Sequence, residues 1–135
     1  MVKRIAVDLA EQQLSAYEGN KLVYRFNCVT GDNQHPTDPG TFRVIWKDRN
    51  HFSQAYQVPM HFALFFSDDG KAIHQFFLPD WLLALDRLAK TAVTNDLGSH
   101  GCVRLTEPDA SSLFDWASVG TPVVIAGSKR AKVTT

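Results

Sequence analysis

Within the run SHGCVRL, residues 99–105, stand a hydroxyl, an imidazole, a thiol and a guanidinium. Read as a short extended segment, CVRL places Cys102 and Arg104 on one face and Val103 and Leu105 on the other. A thiol and a guanidinium facing the same way suit a pocket wall better than the core side of a strand. A neighbouring positive charge lowers a thiol pKa, and the thiolate is the reactive form. Gly101 removes a side chain beside the thiol, so a substrate carbonyl can come close. Backbone N–H groups at Gly101 and Cys102 could then face an oxyanion. The chemistry this pattern offers is nucleophilic catalysis at Cys102, set against the plainer reading of a buried thiol.

A nucleophilic cysteine needs a base within hydrogen-bond reach. Five histidines compete for that part. His100 lies two residues before Cys102 and projects the same way in an extended segment. His74 follows KAI in a predicted strand, sharing a face with Ala72 and opposed to Ile73. His61, in VPMHFALFF, reads as a half-buried histidine that could line the same cavity. His35 and His51 fall near predicted turns and read as surface residues. Spacing alone leaves the base open. Closely spaced ligand pairs of the C-x2-C kind do not occur, so no metal site is expected.

The elements that must position these residues are mostly short strands. KRIAVDL (3–9), QLSAYE (13–18) and KLVYRFNCVT (21–30) alternate apolar and polar positions, with EGN as a hairpin turn between the second and third. DNQHPTDPG (32–40) is a loop of turn formers, and TFRVIWK (41–47) alternates again with Phe42, Val44 and Trp46 on one face. KDRN (47–50) reads as a solvated turn. AYQVPMHFALFF and KAIHQFF flank the turn SDDG (67–70). Such a series predicts a mainly β fold, a β-sandwich or barrel. Two short helices interrupt it. One, PDWLLALDRLAKTAV (79–93), carries a stripe of Trp81, Leu82, Leu85, Leu88, Ala89 and Ala92 that reads as core packing. In the other, TEPDASSLFDWA (106–117), Thr106 and Asp109 have the spacing of a capping box. TPVVIA (121–126) reads as a last buried strand.

The chain's 135 residues suit a single domain, expected over 1–128 with 129–135 as a flexible tail. Fourteen basic and fourteen acidic side chains cancel, which leaves no electrostatic footprint for nucleic acid or anionic lipid. No apolar run approaches the roughly 20 residues of a membrane-spanning helix. The opening MVKRIAVDLAEQQLSAYEG carries Asp8 and Glu11 within its apolar stretch, so no signal peptide is visible. Two cysteines allow one disulfide at most; Cys28, on the apolar face of its strand, reads as a small core residue.

SHGCVRL at 99–105 resembles the signature of the L,D-transpeptidase catalytic domain, the YkuD-type fold, in which Ser/Thr-His-Gly-Cys follows an upstream His. HPTDPGTFRV (35–44), VPMHFALFFSDDGKAIH (58–74) and DASSLFDWASVGTPVVI (109–125) resemble the family's other segments in the expected order. The resemblance implies a sandwich of that type, with Cys102 as nucleophile and His74 as its base. Ser99, His100 and Gly101 would shape the site, the backbone at Gly101 and Cys102 would hold the oxyanion, and Arg104 would position substrate with His61 beside it.

The implied substrate is the stem peptide of bacterial peptidoglycan. The thiolate attacks the carbonyl of an L-centred bond, expels a D-amino acid, and passes the acyl group to an amine to form a cross-link, or to water as an L,D-carboxypeptidase. No metal or organic cofactor is implied. The family reading places such a domain in the periplasm or cell envelope, as a monomer contributing to wall biogenesis and cell shape. A related peptidoglycan amidase, a secreted effector and a non-catalytic wall-binding module are the rival readings. Two features depart from the family pattern. Gln75 stands where Gly or Ser usually follows the upstream His, and the 24 residues 75–98 make a longer connection than usual, read as an insertion around 79–93.

Overall fold

Two sheets enclose the core. The computed structural model describes residues 2–31, 36–54, 58–75 and 101–128. In the first sheet, β1 (Lys3–Asp8), β2 (Gln13–Glu18), β3 (Lys21–Asn27), β4 (Gly40–Arg43) and β9 (Pro122–Ala126) lie in the order β3-β2-β1-β9-β4. The second has β5 (Trp46–Ser53), β6 (Val58–Phe65), β7 (Ala72–Gln75) and β8 (Val103–Leu105) in the order β5-β6-β7-β8. One helix is described, α1 (Glu107–Trp116). The mainly β sandwich expected from the alternation is the fold observed.

Alternation decides which face of each strand is buried. β1 buries Ile5 and Val7, β2 buries Leu14 and Ala16, and β9 buries Val123 and Ile125. Leu64, Ile73, Val103 and Leu105 of the second sheet meet them, joined by Ala110, Leu113 and Phe114 of α1. Those helix positions have the i, i+3, i+4 spacing that lines one helical face. Cys28 belongs to this core at 1% exposure, and no disulfide joins it to Cys102.

The turn between β1 and β2 is held from within. Gln12, with a left-handed φ of 53°, is buried; its amide donates to Leu9 O at 2.8 Å and to Thr30 Oγ1 at 2.7 Å. Its Oε1 accepts from Thr30 N–H at 3.0 Å. One side chain thus ties the first hairpin to the segment leaving β3.

Three local expectations need correction. KDRN is strand, not turn: it lies within β5, paired with β6, and its two cations find partners at α1. Lys47 donates to the carbonyls of Phe114 (2.7 Å) and Ala117 (2.8 Å), and Lys3 to that of Trp116 (2.6 Å). α1 has no basic residue in its own last turn, so two strands supply the cations that a helix C-terminus favours. Arg49 lies against the Phe62 and Phe114 rings and pairs with Asp115 at 3.2 Å. Second, TFRVIWK is not one strand. Val44 N–H donates to Thr121 O and Ile45 N–H to Phe65 O, so the chain changes sheets between them. Third, Thr106 is the N-cap of α1 but its side chain makes no capping hydrogen bond. The start of the helix relies instead on Pro108 in the first turn and on Glu107 and Asp109 at the positive end of the dipole.

β7 and β8 are parallel, and parallel neighbours require a crossover of a dozen or more residues. The stretch after His74 makes that connection. The helix expected at 79–93 and the tail expected at 129–135 lie outside the described residues. Among the described residues no helix is long and apolar enough to cross a membrane.

Replacing Gln12 by Leu leaves the buried Thr30 N–H and Leu9 carbonyl without their partner. The expected loss is about 2–3 kcal/mol of unfolding free energy, read by urea denaturation as a lower midpoint at unchanged slope.

Candidate active site

β8 is only three residues long and is held on both edges. On one side the parallel register sets Ile73 against Val103, His74 against Arg104 and Gln75 against Leu105. On the other, Val29 and Arg104 exchange backbone hydrogen bonds, each 2.9 Å long. Val103 and Leu105 are fully buried in the main core, which fixes the phase of the strand. Cys102 and Ala72 fall in a separate cluster with Met60, Ala63 and Phe65, on the other face of the sheet. The sulfur of Cys102 accepts a hydrogen bond from the backbone N–H of Ala72.

His74 is two residues beyond Ala72 in β7, so it shares that face with Cys102. Two steps of about 3.3 Å along the strand and one of about 4.8 Å across put the two Cα atoms roughly 8 Å apart. His74 Nδ1 lies 2.8 Å from the Gln75 carbonyl oxygen. A carbonyl only accepts, so Nδ1 carries the proton and Nε2 keeps its lone pair. Burial drives the imidazole pKa down to about 4; the Gln75 hydrogen bond opposes this, and the charges of Arg104 and His51 add to it.

Burial also pushes the Cys102 thiol up. The Ala72 N–H, Lys71 and Arg104 pull it back, in that order, and Asp69 adds to the rise. The expectation that Arg104 leaves the thiol with a lowered pKa is thus reversed in sum, because desolvation of a buried thiolate outweighs the charge. Both shifts favour the neutral forms, imidazole and thiol, over an imidazolium–thiolate ion pair.

The residue before the thiol is fixed by backbone geometry. Gly101 has φ 104°, a conformation that side chains other than glycine's rarely adopt. A Cβ there would also collide with Cδ and Cε of Lys71. The buried Thr37 hydroxyl donates to the Gly101 carbonyl at 3.0 Å and accepts from Gly31 N–H at 2.8 Å. Thr37, Lys71 and Asp69 were not singled out by the spacing argument. Lys71 lay in view as the residue three before His74, but its contact with Gly101 is long-range.

His51 likewise differs from its reading as a surface residue at a turn. It is half-buried in β5, hydrogen-bonded to Asp48 at 3.1 Å, and packs edge-on to Phe65 and Trp46. Trp46 stacks on Phe65 at 4.1 Å, so an aromatic wall stands on the thiol's side of the sheet. His61 is half-buried opposite Asn50, next in sequence to Met60 of the cluster that holds Cys102. Ser99, His100 and His35 lie outside the described residues.

A cleft of about 190 Å³, bounded in part by Asp38, Phe42, Phe66, Asp69, Lys71 and Gly101, opens beside this arrangement. A larger depression of about 460 Å³ crosses the first sheet between Tyr17, Arg25 and Gly127 and shares none of these residues.

A family model for the L,D-transpeptidase catalytic domain matches residues 2–125. The chain is 29% identical over 130 residues to the YciB protein of Bacillus subtilis (strain 168), an L,D-transpeptidase by name, covering 90% of this chain and 64% of that one. An L,D-transpeptidase from Stackebrandtia nassauensis superposes with TM-score 0.79 at 25% identity, over 96% of this chain and 57% of its own. The Ldtfm–avibactam carbamoyl enzyme does so with TM-score 0.80 at 25% identity, over 95% and 50%. The chain therefore spans less than two thirds of the length of each of these relatives.

The depressed His74 pKa makes stability depend on pH. Unfolded, the imidazole takes a proton below about 6.5, whereas folded it does so only near 4. The unfolded chain binds more protons in that window, so stability falls as pH drops from about 6.5 to 4, by up to about 3 kcal/mol. Chemical denaturation at a series of pH values is expected to show this component in the native protein and to lack it in His74→Gln.

Proposed function

The chain belongs to the L,D-transpeptidase catalytic domain family, and from that membership we propose that it is a cysteine-dependent L,D-transpeptidase acting on peptidoglycan stem peptides. The observation that carries the reading is the common face of Cys102 and His74, with His74 Nε2 left as the proton acceptor.

In this reading Cys102 and His74 start neutral. Nε2 takes the thiol proton as the sulfur bonds to the carbonyl carbon of the L-centred residue, so a buried charge pair exists only while a substrate is attacked. Backbone N–H groups at Gly101 and Cys102 stabilise the oxyanion, with Gly101 held by its carbonyl to Thr37. Collapse of the adduct passes the proton from His74 to the departing amine of the D-amino acid. The acyl-enzyme then transfers to an amine of a second stem, giving a cross-link, or to water, giving an L,D-carboxypeptidase product. Arg104, level with His74 in the sheet, is assigned to substrate positioning. Ser99 and His100 are assigned to shaping the site on the strength of the family resemblance alone.

Incubation with purified muropeptides and mass spectrometry of the products tests this reading. Loss of D-alanine and new cross-linked or trimmed stems are expected from the native chain and not from Cys102→Ala; turnover that survives in Cys102→Ala refutes it. Since burial holds His74 near 4, the acid limb of kcat/KM is expected well below the ordinary histidine range near 6.5. His74→Ala is expected to lower kcat by at least about 100-fold.

A further inference from the structure

The reaction above assigns parts to Cys102, His74, Arg104 and the backbone of Gly101, and none to Lys71, whose side chain lies against that backbone. Lys71 begins just before β7, and its aliphatic stem crosses Gly101 so closely that a Cβ on that residue would strike it. Its Nζ is held at 3.1 Å from Asp69 Oδ2. Asp69 is itself fixed by the Ser67 hydroxyl, and Ser67 Oγ accepts from Lys71 N–H at 3.0 Å. A flexible side chain has thus been tied down at both its backbone and its ammonium, with the glycine beneath it. Lys71 also borders the cleft beside Gly101, among Asp38, Asp69 and the tilted ring pair of Phe42 and Phe66.

We propose that Lys71 is a specificity-determining residue: its ammonium, pinned across Gly101 next to the nucleophile, selects ligands that bring a carboxylate to the thiol. The Lys71 side chain keeps 24% of its surface open, so a ligand carboxylate can approach the ammonium from solvent and compete with Asp69 for it. Resting on the reading above, that carboxylate belongs to the terminal D-amino acid, one residue beyond the bond that is cut. Anchoring it orients the scissile carbonyl over Gly101 and Cys102, and an amidated terminus loses the contact. Asp69 tempers the attraction by occupying the ammonium when no ligand is bound. Burial dominates the rise of the Cys102 pKa, yet Lys71 acts on the thiol more strongly than Arg104 does.

The test needs no peptidoglycan. Second-order rate constants for alkylation of Cys102 by anionic iodoacetate and by neutral iodoacetamide are measured at low ionic strength, with the modified cysteine located by mass spectrometry. The iodoacetate-to-iodoacetamide ratio is expected to fall at least about threefold in Lys71→Met, as removal of one nearby charge requires. It is expected to hold in Lys71→Arg and to rise in Asp69→Asn. Equal ratios in the native chain and Lys71→Met overturn the proposal. A second arm compares kcat/KM on a stem tetrapeptide with its C-terminal amide, a preference expected to vanish in Lys71→Met and to survive in Lys71→Arg. If neither peptide turns over while the ratio still follows Lys71, the transpeptidase reading fails and anion selection stands. If both turn over equally in the native chain, the assignment to the terminal carboxylate fails and the transpeptidase reading stands.

Discussion

Everything in the site hangs on a strand too short to hold itself. Val103–Leu105 has three residues, and a ladder of that length acquires its position from its neighbours. β7 fixes it along one edge, and the Val29–Arg104 exchange fixes it along the other. The burial of Val103 and Leu105 then determines its phase, because a slip by one residue would turn both into the opposite face and Arg104 into the core. Cys102 and Arg104 end up on the outer face as a consequence of where two aliphatic side chains are buried. Segment 28–31 is held in turn by Gln12, and through Gly31 and Thr37 by a hydrogen-bond path to the Gly101 carbonyl. The placement of the thiol is therefore coupled to a turn in the other sheet.

The same burial governs the chemistry. Desolvation acts in opposite directions on the two titrating groups, lowering His74 and raising Cys102, and in both cases it favours the neutral form. A neutral pair in a dry setting is compatible with a stable core cluster of Met60, Ala63, Phe65 and Ala72 around the sulfur, where a resting ion pair would need far more hydrogen bonding. The dry setting also favours Cys102 as the thiol over the thiolate. The Ala72 N–H, Lys71 and Arg104 work against that bias, since each stabilises negative charge on sulfur.

Local pattern carried the part of this that depends on period two. The faces of KRIAVD and QLSAYE, and the sharing of a face by Cys102 with Arg104 and by Ala72 with His74, follow from alternation and were legible. So was Cys28 as a core thiol. KDRN was misread because charge content suggests solvent, whereas Lys47 and Arg49 find their partners on α1, more than sixty residues away. TFRVIWK alternates throughout, and nothing within it marks the change of sheet that Thr121 and Phe65 impose. Thr37 could not be read as a support for Gly101, since the two lie 64 residues apart and only the fold brings them within 3.0 Å. His51 illustrates the same limit: its aromatic partners Trp46 and Phe65 come from its own strand and the next, but its depth depends on the sheet.

The distance in sequence between His74 and Cys102 has a physical cause that composition hides. Antiparallel neighbours can be joined by a two-residue turn, but β7 and β8 run parallel, and the chain must travel back along the sheet before it can pair again. Two residues that share a face on adjacent parallel strands are obliged to be far apart in the chain, however close they lie in the fold. That obligation absorbs a dozen or more of the residues between them. The connection starts beyond Gln75, which donates to Glu107 at 3.3 Å and so ties the end of β7 to the start of α1. A glycine or serine at that position has no such reach. The crossover therefore leaves β7 from a point already joined to the helix that follows β8.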